Sequence, residues 1–224
     1  MLHAFFQCTG LTGVDLSNLT TVSNQSMNST FYGCTGLTSV DLSSLTSVSG
    51  NNTMSTTFYG CTNLTSADLS SLTTVSGNSA MQGTFNGCTG LTSINFNNLQ
   101  TIGTNSSSGD YGHFSNCFKN CNNLTSITFP KLEKIYCTYS TNTYGTFSGN
   151  NKVQKFYFPK LDTITYGTGA ISTNQKACKN VFYGCSELTE LHFASANQSA
   201  IEASPGYSTA WGRGAGNVTI YFDL

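Results

Sequence analysis

The chain contains the segment Phe31-Tyr32-Gly33-Cys34-Thr35-Gly36-Leu37-Thr38-Ser39-Val40-Asp41-Leu42-Ser43-Ser44-Leu45-Thr46-Ser47-Val48, in which apolar residues stand at fixed spacings. Further segments follow the same pattern, Phe-x-x-Cys-x-x-Leu-x-x-Val-x-Leu-x-x-Leu-x-x-Val, and they begin at Phe5, Phe58, Phe85, Phe118, Phe147 and Phe182. A unit that returns about every 27 residues cannot bury its apolar face alone and must stack on copies of itself. The sequence therefore predicts a repeat solenoid of about 7 to 8 coils.

The middle of each unit has the pattern of a β-strand. Val40, Asp41 and Leu42 alternate apolar and polar residues, which indicates a strand with one buried face. Stacked strands lie about 4.8 Å apart, so equivalent residues of successive coils form columns. Three columns make up the predicted core: Leu11, Leu37, Leu64, Leu91, Leu124, Val153 and Leu188; Val14, Val40, Ala67, Ile94, Ile127, Phe156 and Leu191; and Leu16, Leu42, Leu69, Phe96, Phe129, Phe158 and Phe193.

The segment before each phenylalanine has a different period. Met54 and Phe58 stand four residues apart, as on one face of a helical turn, and Gly60 follows as a left-handed cap. We therefore expect a parallel β-sheet on one face of the solenoid, and short helical or 3-10 turns with loops on the other.

These motifs resemble the BspA-like class of bacterial leucine-rich repeats, in which Ala-Phe-x-x-Cys-x-x-Leu precedes a strand. The matching residues are Ala4-Phe5 with Cys8, Phe31 to Leu37, and Phe58-Tyr59-Gly60-Cys61. The Pro of the class stands at Pro130 and Pro159 and its Ile-Gly pair at Ile102-Gly103, whereas serine replaces Pro at Ser17, Ser43 and Ser70. The resemblance covers residues 4–193. It implies a leucine-rich-repeat solenoid in a cell-surface or secreted protein that adheres to host or matrix molecules, and similar arrays also occur in phage-encoded proteins.

Six of the nine cysteines belong to the repeated pattern: Cys8, Cys34, Cys61, Cys88, Cys121 and Cys185. Side chains in one column point in parallel directions, and Asn150 takes the same position in the sixth unit. We therefore expect buried thiols that bond to the backbone rather than disulfides. Cys117, Cys137 and Cys178 lie outside the pattern and are the candidates for oxidation or intermolecular pairing.

Charge is scarce and unevenly distributed. Only 8% of the residues are charged, and the net charge is −1. Residues 1–118 contain no Lys or Arg, whereas all nine basic residues lie between Lys119 and Arg213. No basic stripe is present that could neutralise phosphates, so we expect no nucleic-acid partner. No run approaches the roughly 18 apolar residues of a membrane span.

Two surfaces are candidates for ligand binding. The first is the outward column of the strands: Asp15, Asp41, Asp68, Asn95, Thr128, Tyr157 and His192. This column is either a solvated polar face or, because its stacked carboxylates repel one another, a site for a cation or a basic partner. The second is the set of segments before Phe118, Phe147 and Phe182, whose length varies while the framework stays fixed.

The variable segments have the composition of a binding loop. They combine Gly, Ser and Asn with the aromatic residues Tyr111, His113, Tyr139, Tyr144 and Tyr166. Tyrosine among small polar residues is typical of antibody paratopes. Polar loops of a polar protein have a similar composition without binding anything, so this alternative remains open.

The sequence contains no pattern of catalytic or metal-ligating residues. His3, His113 and His192 fall on different coils, and no Gly-x-Ser-x-Gly or phosphate-binding loop occurs. Cys117 and Cys121 lack the second pair or the histidine that a zinc site needs. We therefore expect no enzyme activity, no metal and no cofactor.

The two ends of the chain differ from the repeats. Residues 1–193 are predicted to form the solenoid, and residues 194–224, which contain the only Trp, Trp211, are predicted to form its C-terminal cap. The chain begins in mid-repeat without a signal peptide. We expect this end to continue in a longer protein, or to be covered by a partner or a second copy of the chain.

These observations favour a non-enzymatic binding or adhesion module of a bacterial surface or secreted protein, with a protein or glycan as ligand. The alternative is a structural or receptor-binding subunit of a phage appendage or filament, located in the virion. In that case the first coil would serve for self-association.

Overall fold

A computed structural model of the chain describes residues 2–104, 112–137, 145–166, 180–204, 207 and 218–224. It shows a solenoid in which parallel strands of successive coils pair with one another, as predicted. The strands are β1 Thr21–Ser23, β2 Ser39–Asp41, β3 Ser47–Ser49, β4 Ser66–Asp68, β5 Thr74–Val75, β6 Ser93–Asn95, β7 Thr101–Ile102, β8 Ser126–Thr128, β9 Lys134–Cys137, β10 Lys155–Phe158, β11 Thr163–Tyr166, β12 Glu190–Phe193 and β13 Thr219–Phe222. The described helices are a 3-10 helix, Ser195–Asn197, and α1, Gln198–Glu202. Neither of these is long and apolar enough to cross a membrane.

The predicted strands form the first side of the solenoid. β2, β4 and β6 make a three-stranded sheet, and β8, β10, β12 and β13 make a four-stranded sheet that follows it. Their register reproduces the predicted columns, since Val40 pairs with Ala67 and Ala67 with Ile94. Asp15 extends this side by an isolated bridge to Asp41. The repeats therefore lie directly over one another.

A second row of strands, which the sequence did not predict, forms another side. It is a six-stranded parallel sheet with the order β1-β3-β5-β7-β9-β11. The chain reaches it through a tight turn, in which the Leu45 N–H donates to the Leu42 carbonyl at 2.9 Å, and it then buries Val48 at the centre of β3. Each of these strands has only one or two buried residues. The alternation of apolar and polar residues in the sequence is therefore too short to distinguish a strand from a turn.

The third side, here called the turn side, consists of single turns rather than a helix. The N–H groups of Met54 and Phe58 donate to carbonyl oxygens of the next coil at 2.7 and 2.8 Å, while Thr57 donates to the carbonyl three residues before it. Every fourth residue has a positive φ, as at Asn52, Thr56 and Gly60. An α-helix would use all of these N–H groups within the segment. Of the two predicted forms, short helical or 3-10 turns, this side therefore has separate 3-10-type turns, which leave alternate N–H groups to bond the neighbouring coil.

A step interrupts the stacking on the turn side between the fifth and sixth coils. The phenylalanine rings of the second to fifth units stack with centroids 5.4 to 6.0 Å apart. Phe147 was expected to continue this column below Phe118, but it stacks on Phe114 at 5.6 Å. Phe114 instead lies in the column of Met54 and Met81, here called the methionine column. The Met81 N–H donates to the carbonyl of His113, the residue before Phe114, just as the Met54 N–H donates to the carbonyl of the residue before Met81. The sixth coil is therefore one four-residue turn shorter on this side.

The step explains why Asn150 stands where other units have cysteine. The Phe118 N–H donates to Asn150 Oδ1 at 2.8 Å, in place of a backbone carbonyl of the next coil. Asn150 Nδ2 donates to the carbonyls of Phe114 and Phe147 at 3.2 and 2.8 Å. A thiol is a weak donor and a weak acceptor, whereas an amide supplies strong groups of both kinds. Asparagine therefore satisfies the backbone groups that the missing turn leaves without a partner.

The strand side compensates for the shorter turn side. Phe156 and Phe158 stand in columns that hold Val40 and Leu42 earlier in the chain, and their ring centroids lie 5.2 and 6.0 Å from that of Phe147. All of these side chains are buried. Because protein interiors are close-packed, larger strand residues fill the volume that the missing turn would have occupied.

The end of the chain lies against the last coil. β13 pairs with β12, with Ile220 opposite Leu191, and Ile201 of α1 is fully buried. The Ile164 N–H of β11 donates to Ser204 Oγ at 3.2 Å. The division at residue 193 between solenoid and cap stays a prediction, and Trp211 lies outside the described residues.

Candidate functional site

The acidic part of the outward column forms one continuous row. We call Asp15, Asp41, Asp68 and Asn95 the aspartate row. Asp41 pairs with Asp68 and Asp68 with Asn95 in parallel register, and the bridge from Asp41 to Asp15 continues the row. The carboxyl groups are therefore one strand spacing apart, roughly 5 Å, as the repeat predicted.

Hydrogen bonds to serines hold these carboxylates in place. Asp41 Oδ1 accepts the Ser43 N–H at 2.9 Å, and Asp68 Oδ1 accepts the Ser70 N–H at the same distance. The Ser43 hydroxyl and then the Ser43 N–H lower the pKa of Asp41, against opposing effects of burial and of Asp15. Each aspartate thus closes a turn at the strand end, and the lowered pKa favours the ionised form of Asp41 despite its neighbours.

This contact explains why serine stands in place of proline at Ser17, Ser43 and Ser70. A turn closed by an aspartate requires an N–H group two residues later, and proline has none. Serine follows Asp41 at that spacing, whereas Pro130 and Pro159 follow Thr128 and Tyr157. This relation can be read from the sequence: an outward aspartate is followed two residues later by serine, whereas an outward threonine or tyrosine is followed by proline.

A shallow groove of about 420 Å³ runs over the middle of the aspartate row. Its lining residues come from β2, β4 and β6, with Asp41, Asp68 and Asn95 along one edge and Ser39, Ser66 and Ser93 along the other. The groove has small polar walls and carries negative charge. Its geometry suits a basic or hydroxyl-rich segment that lies across the strands.

The other end of the outward column is aromatic. Thr128 is exposed, Tyr157 is half-buried, and His192 is buried. The His192 ring lies between Tyr157 and Tyr221, with centroid distances of 4.5 and 4.6 Å. The expected exposed imidazole is therefore covered on both faces.

Both nitrogens of His192 contact carboxylates. Nε2 lies 2.9 Å from Glu190 Oε2, and Nδ1 lies 2.9 Å from Asp223 Oδ1. The Lys155 ammonium, 2.9 Å from Glu190 Oε1, and then His192 lower the pKa of Glu190. The sequence does not indicate the contact with Asp223, because Asp223 follows β13, whose pairing with β12 cannot be read from the repeat. This cluster joins the last strands and has the character of a structural ion-pair network.

Of the aromatic residues predicted to form the binding loops, the structure describes the side chain of His113 alone. His113 is fully buried, and its Nδ1 lies 3.0 Å from the Gly77 carbonyl, so the expectation that it belongs to the loop surface is wrong. The next residue, Phe114, lies in the methionine column, and His113 is therefore part of the buried turn rather than of the loop before it. Tyr111, Tyr139 and Tyr144 lie outside the described residues, as does the side chain of Tyr166 in β11. The loop paratope stays a prediction.

The cysteine column is buried and free, as predicted, except at its first member. Cys61 donates to the Phe31 carbonyl at 3.2 Å, and Cys34, Cys88, Cys121 and Cys185 make the equivalent contact. Burial raises the pKa of Cys61, Cys121 and Cys185 to about 12, which makes these thiols unreactive. Cys8, in the first coil, is exposed.

The cysteines outside the pattern do not behave alike. Cys137 is disulfide-bonded, in agreement with the prediction. Cys117 is a free and fully buried thiol, so its assignment as a site of oxidation is wrong. Phe114 and Cys117 repeat the Phe-x-x-Cys motif one turn before Phe118, and this turn places Cys117 in the core. Cys178 lies outside the described residues.

Within the described ranges, no group of three or more His, Cys, Asp or Glu residues could hold a metal ion. Glu190, His192 and Asp223 come close to one another, but no nucleophilic side chain is among the hydrogen-bond partners of His192. Among the described residues, this cluster is therefore a set of ion pairs without the nucleophile and base of covalent catalysis.

Comparison with known protein families identifies the repeats. The family described as BspA type leucine rich repeat region matches residues 2–110 and 114–195, in six copies. A leucine-rich repeat protein from Bacteroides ovatus is 19% identical, with a TM-score of 0.38, and covers 99% of this chain and 62% of its own. A leucine rich cell surface protein from Faecalibacterium prausnitzii is 17% identical, with a TM-score of 0.28, and covers 99% of this chain and 69% of its own. The chain thus spans less than two thirds of the length of the first of these. No curated protein matches the sequence.

Proposed function

Because the chain belongs to the BspA-type leucine-rich repeat family, we propose that it is a non-enzymatic binding module of a bacterial surface or secreted protein. Its ligand is a protein or a glycan, recognised through the strand side and the variable loops. The observation that carries this proposal is the groove over β2, β4 and β6, with the aspartate row along its edge.

The aspartate row is built to present charge. Asp15 and Asp41 are exposed, and the serine contacts hold their carboxylates in fixed orientations. An ionised carboxylate has acceptor capacity beyond the contacts that serine makes. Fixed groups lose little conformational entropy when a ligand binds. A basic partner would also remove the repulsion between neighbouring carboxylates.

Binding to host-protein and glycan arrays tests the proposal, with the unmodified chain compared with an Asp41→Asn/Asp68→Asn double variant. Asparagine keeps the oxygen that accepts the serine N–H, as Asn95 does for Asn97 at 3.1 Å, so this variant should fold normally. The matched control is Glu202→Gln on α1, away from the groove. We expect a ligand whose affinity falls about tenfold or more in the double variant and weakens with added salt. An array ligand that binds the double variant equally well would exclude the groove.

Self-association is a second candidate function, because the first coil exposes apolar side chains. Leu2, Phe5 and Phe6 are 53%, 38% and 43% exposed. Another coil, from a second copy or a partner, would cover these side chains and extend the stack. Light scattering over a concentration series tests this: a mass that rises with concentration and returns to the monomer in a Phe5→Ser/Phe6→Ser variant supports assembly. A constant monomer mass contradicts it.

A further inference from the structure

The step between the fifth and sixth coils opens a slot on the turn side. It has a volume of about 240 Å³ and is lined by Asn116, Lys119, Ser148, Gly149, Asn151 and Tyr183, among others. Pockets for drug-sized ligands have roughly 300 to 1,000 Å³. The slot therefore suits a ligand about the size of one ring.

The walls and the floor of the slot follow from the missing turn. Lys119 lies on the four-residue turn of the fifth coil that has no counterpart in the sixth, and Tyr183 lies on the seventh coil. Between them Ser148 is buried, and its hydroxyl donates to the Gly145 carbonyl at 3.0 Å. Gly149 next to it has no side chain. The floor is thus low while both walls project.

One wall offers an aromatic ring. Elsewhere on the turn side such rings cover one another, as Tyr32 and Tyr59 do at a centroid distance of 4.5 Å. The ring contacts found among the described residues do not include Tyr183, which is 46% exposed. Its neighbour in the stack is Ser148, so part of the ring faces the slot.

The other wall offers a cation and amides. Lys119 is exposed, and the ion pairs within the described part of the chain do not include it, whereas Lys152 and Lys155 are paired with Glu187 and Glu190. Asn116 and Asn151 contribute amide groups beside it, and each keeps a second Nδ2 hydrogen beyond the one donated to Ser115 Oγ or to Asn120 Oδ1. Asn116 Oδ1 occupies the space that a Cβ of residue 149 would need, 2.1 Å away. Glycine at 149 thus keeps both the amide and the slot in place.

We propose that this slot binds a single sugar ring that bears a carboxylate, of the hexuronic acid type. The C–H face of the ring packs on Tyr183, the carboxylate bonds to the Lys119 ammonium, and the ring hydroxyls bond to Asn116 and Asn151. A sugar has an apolar face and polar edges, which match an aromatic wall facing amide and ammonium groups. The inference rests on the proposed binding function and names one ligand class for it, at the step rather than at the aspartate row.

The test is an amide-resolved NMR titration of the full chain with D-glucuronate. D-glucose serves as the neutral match, and acetate as the carboxylate without a ring. We expect glucuronate to shift the amide signals of Ser148, Gly149 and Gly184. Its affinity should fall about tenfold in Lys119→Gln and in Tyr183→Ser. The matched control Lys160→Gln, an exposed lysine outside the slot, should bind as the unmodified chain does.

Other outcomes overturn the proposal in distinguishable ways. Equal binding of glucose and glucuronate, unaffected by Lys119→Gln, excludes the acidic sugar. Equal binding of acetate and glucuronate, unaffected by Tyr183→Ser, shows a simple anion site. Absence of shifts at the slot removes the site altogether. An array ligand that responds to Asp41→Asn/Asp68→Asn but not to the slot variants would leave the proposed function standing while the slot inference falls.

Discussion

At the scale of single residues, the solenoid depends on left-handed backbone conformations, and at some of these positions the neighbouring coil also leaves no room for a side chain. Gly77 has a φ of 94°, and a Cβ on it would lie 2.4 Å from the Gly50 carbonyl oxygen. Gly60 has a φ of 70°, but a Cβ there would meet nothing closer than 3.9 Å. Both positions favour glycine for the left-handed backbone, and only Gly77 also requires it for close contact between coils.

This difference predicts unequal effects of the same substitution. Gly60→Ala should lower the free energy of unfolding by about 1 to 2 kcal/mol, the cost of a left-handed backbone. Gly77→Ala should cost about 1 to 3 kcal/mol more, because the methyl group forces two coils apart. Chemical denaturation of both variants measures the difference. Equal destabilisation would show that the coils do not approach each other at Gly77.

The aspartate row gives a prediction about pH. The Ser43 hydroxyl and N–H hold the pKa of Asp41 below its ordinary value of 3.8. A lowered pKa in the folded state means that this contact stabilises the fold above the ordinary pKa and ceases to do so as pH falls through the folded value. Ser43→Pro removes both donors and should raise the pKa of Asp41 in an NMR titration. An unchanged pKa would mean that the Ser43 contact is not its cause.

At the scale of elements, the main event is the change of register on the turn side. The strands Ser126–Thr128 and Lys155–Phe158 stay in register across it, while Phe147 moves to the column of Phe114. The side chain of Asn150 then replaces a backbone carbonyl for the Phe118 N–H. A solenoid can therefore drop one turn from one side without losing the alignment of its sheets.

The role of Asn150 is testable by restoring the residue of the other units. Asn150→Cys should destabilise the protein by about 1 to 3 kcal/mol, because it leaves the buried Phe118 N–H without a strong acceptor. The control is Asn123→Cys, the same exchange at an exposed residue that only donates, at 2.9 Å, to the Thr89 carbonyl. The control should change stability by less than about 0.5 kcal/mol. Denaturation under reducing conditions compares the two, and equal losses would contradict the account of the step.

At the scale of the whole molecule, the sequence predicted the stack because the repeat fixes which residues lie over one another. It therefore predicted the core columns, the buried thiols and the aspartate row. It did not predict the second sheet, whose strands are too short to show a period. The sequence also predicted the wrong column for Phe147. The motif of Phe147 aligns with those of the other units, and only Asn150, which stands in place of a cysteine, indicates that the register changes on the turn side. His113 and Cys117 were misjudged because they belong to the regular turn of the methionine column, in which Phe114 takes the place of methionine, so that this turn resembled part of a loop.

The direct stacking of coils can be measured with pairs of spin labels along the first strand side. The labels replace Ser39 paired with Ser126 and Ser39 paired with Thr219, with Cys8 changed to Ser so that the exposed thiol is not labelled. At about 4.8 Å per coil, the pairs should lie roughly 14 and 29 Å apart, because the number of coil-to-coil spacings between the labels doubles from the first pair to the second. Distances that are similar for both pairs, or that do not increase along the chain, would contradict a continuous stack and the surfaces derived from it.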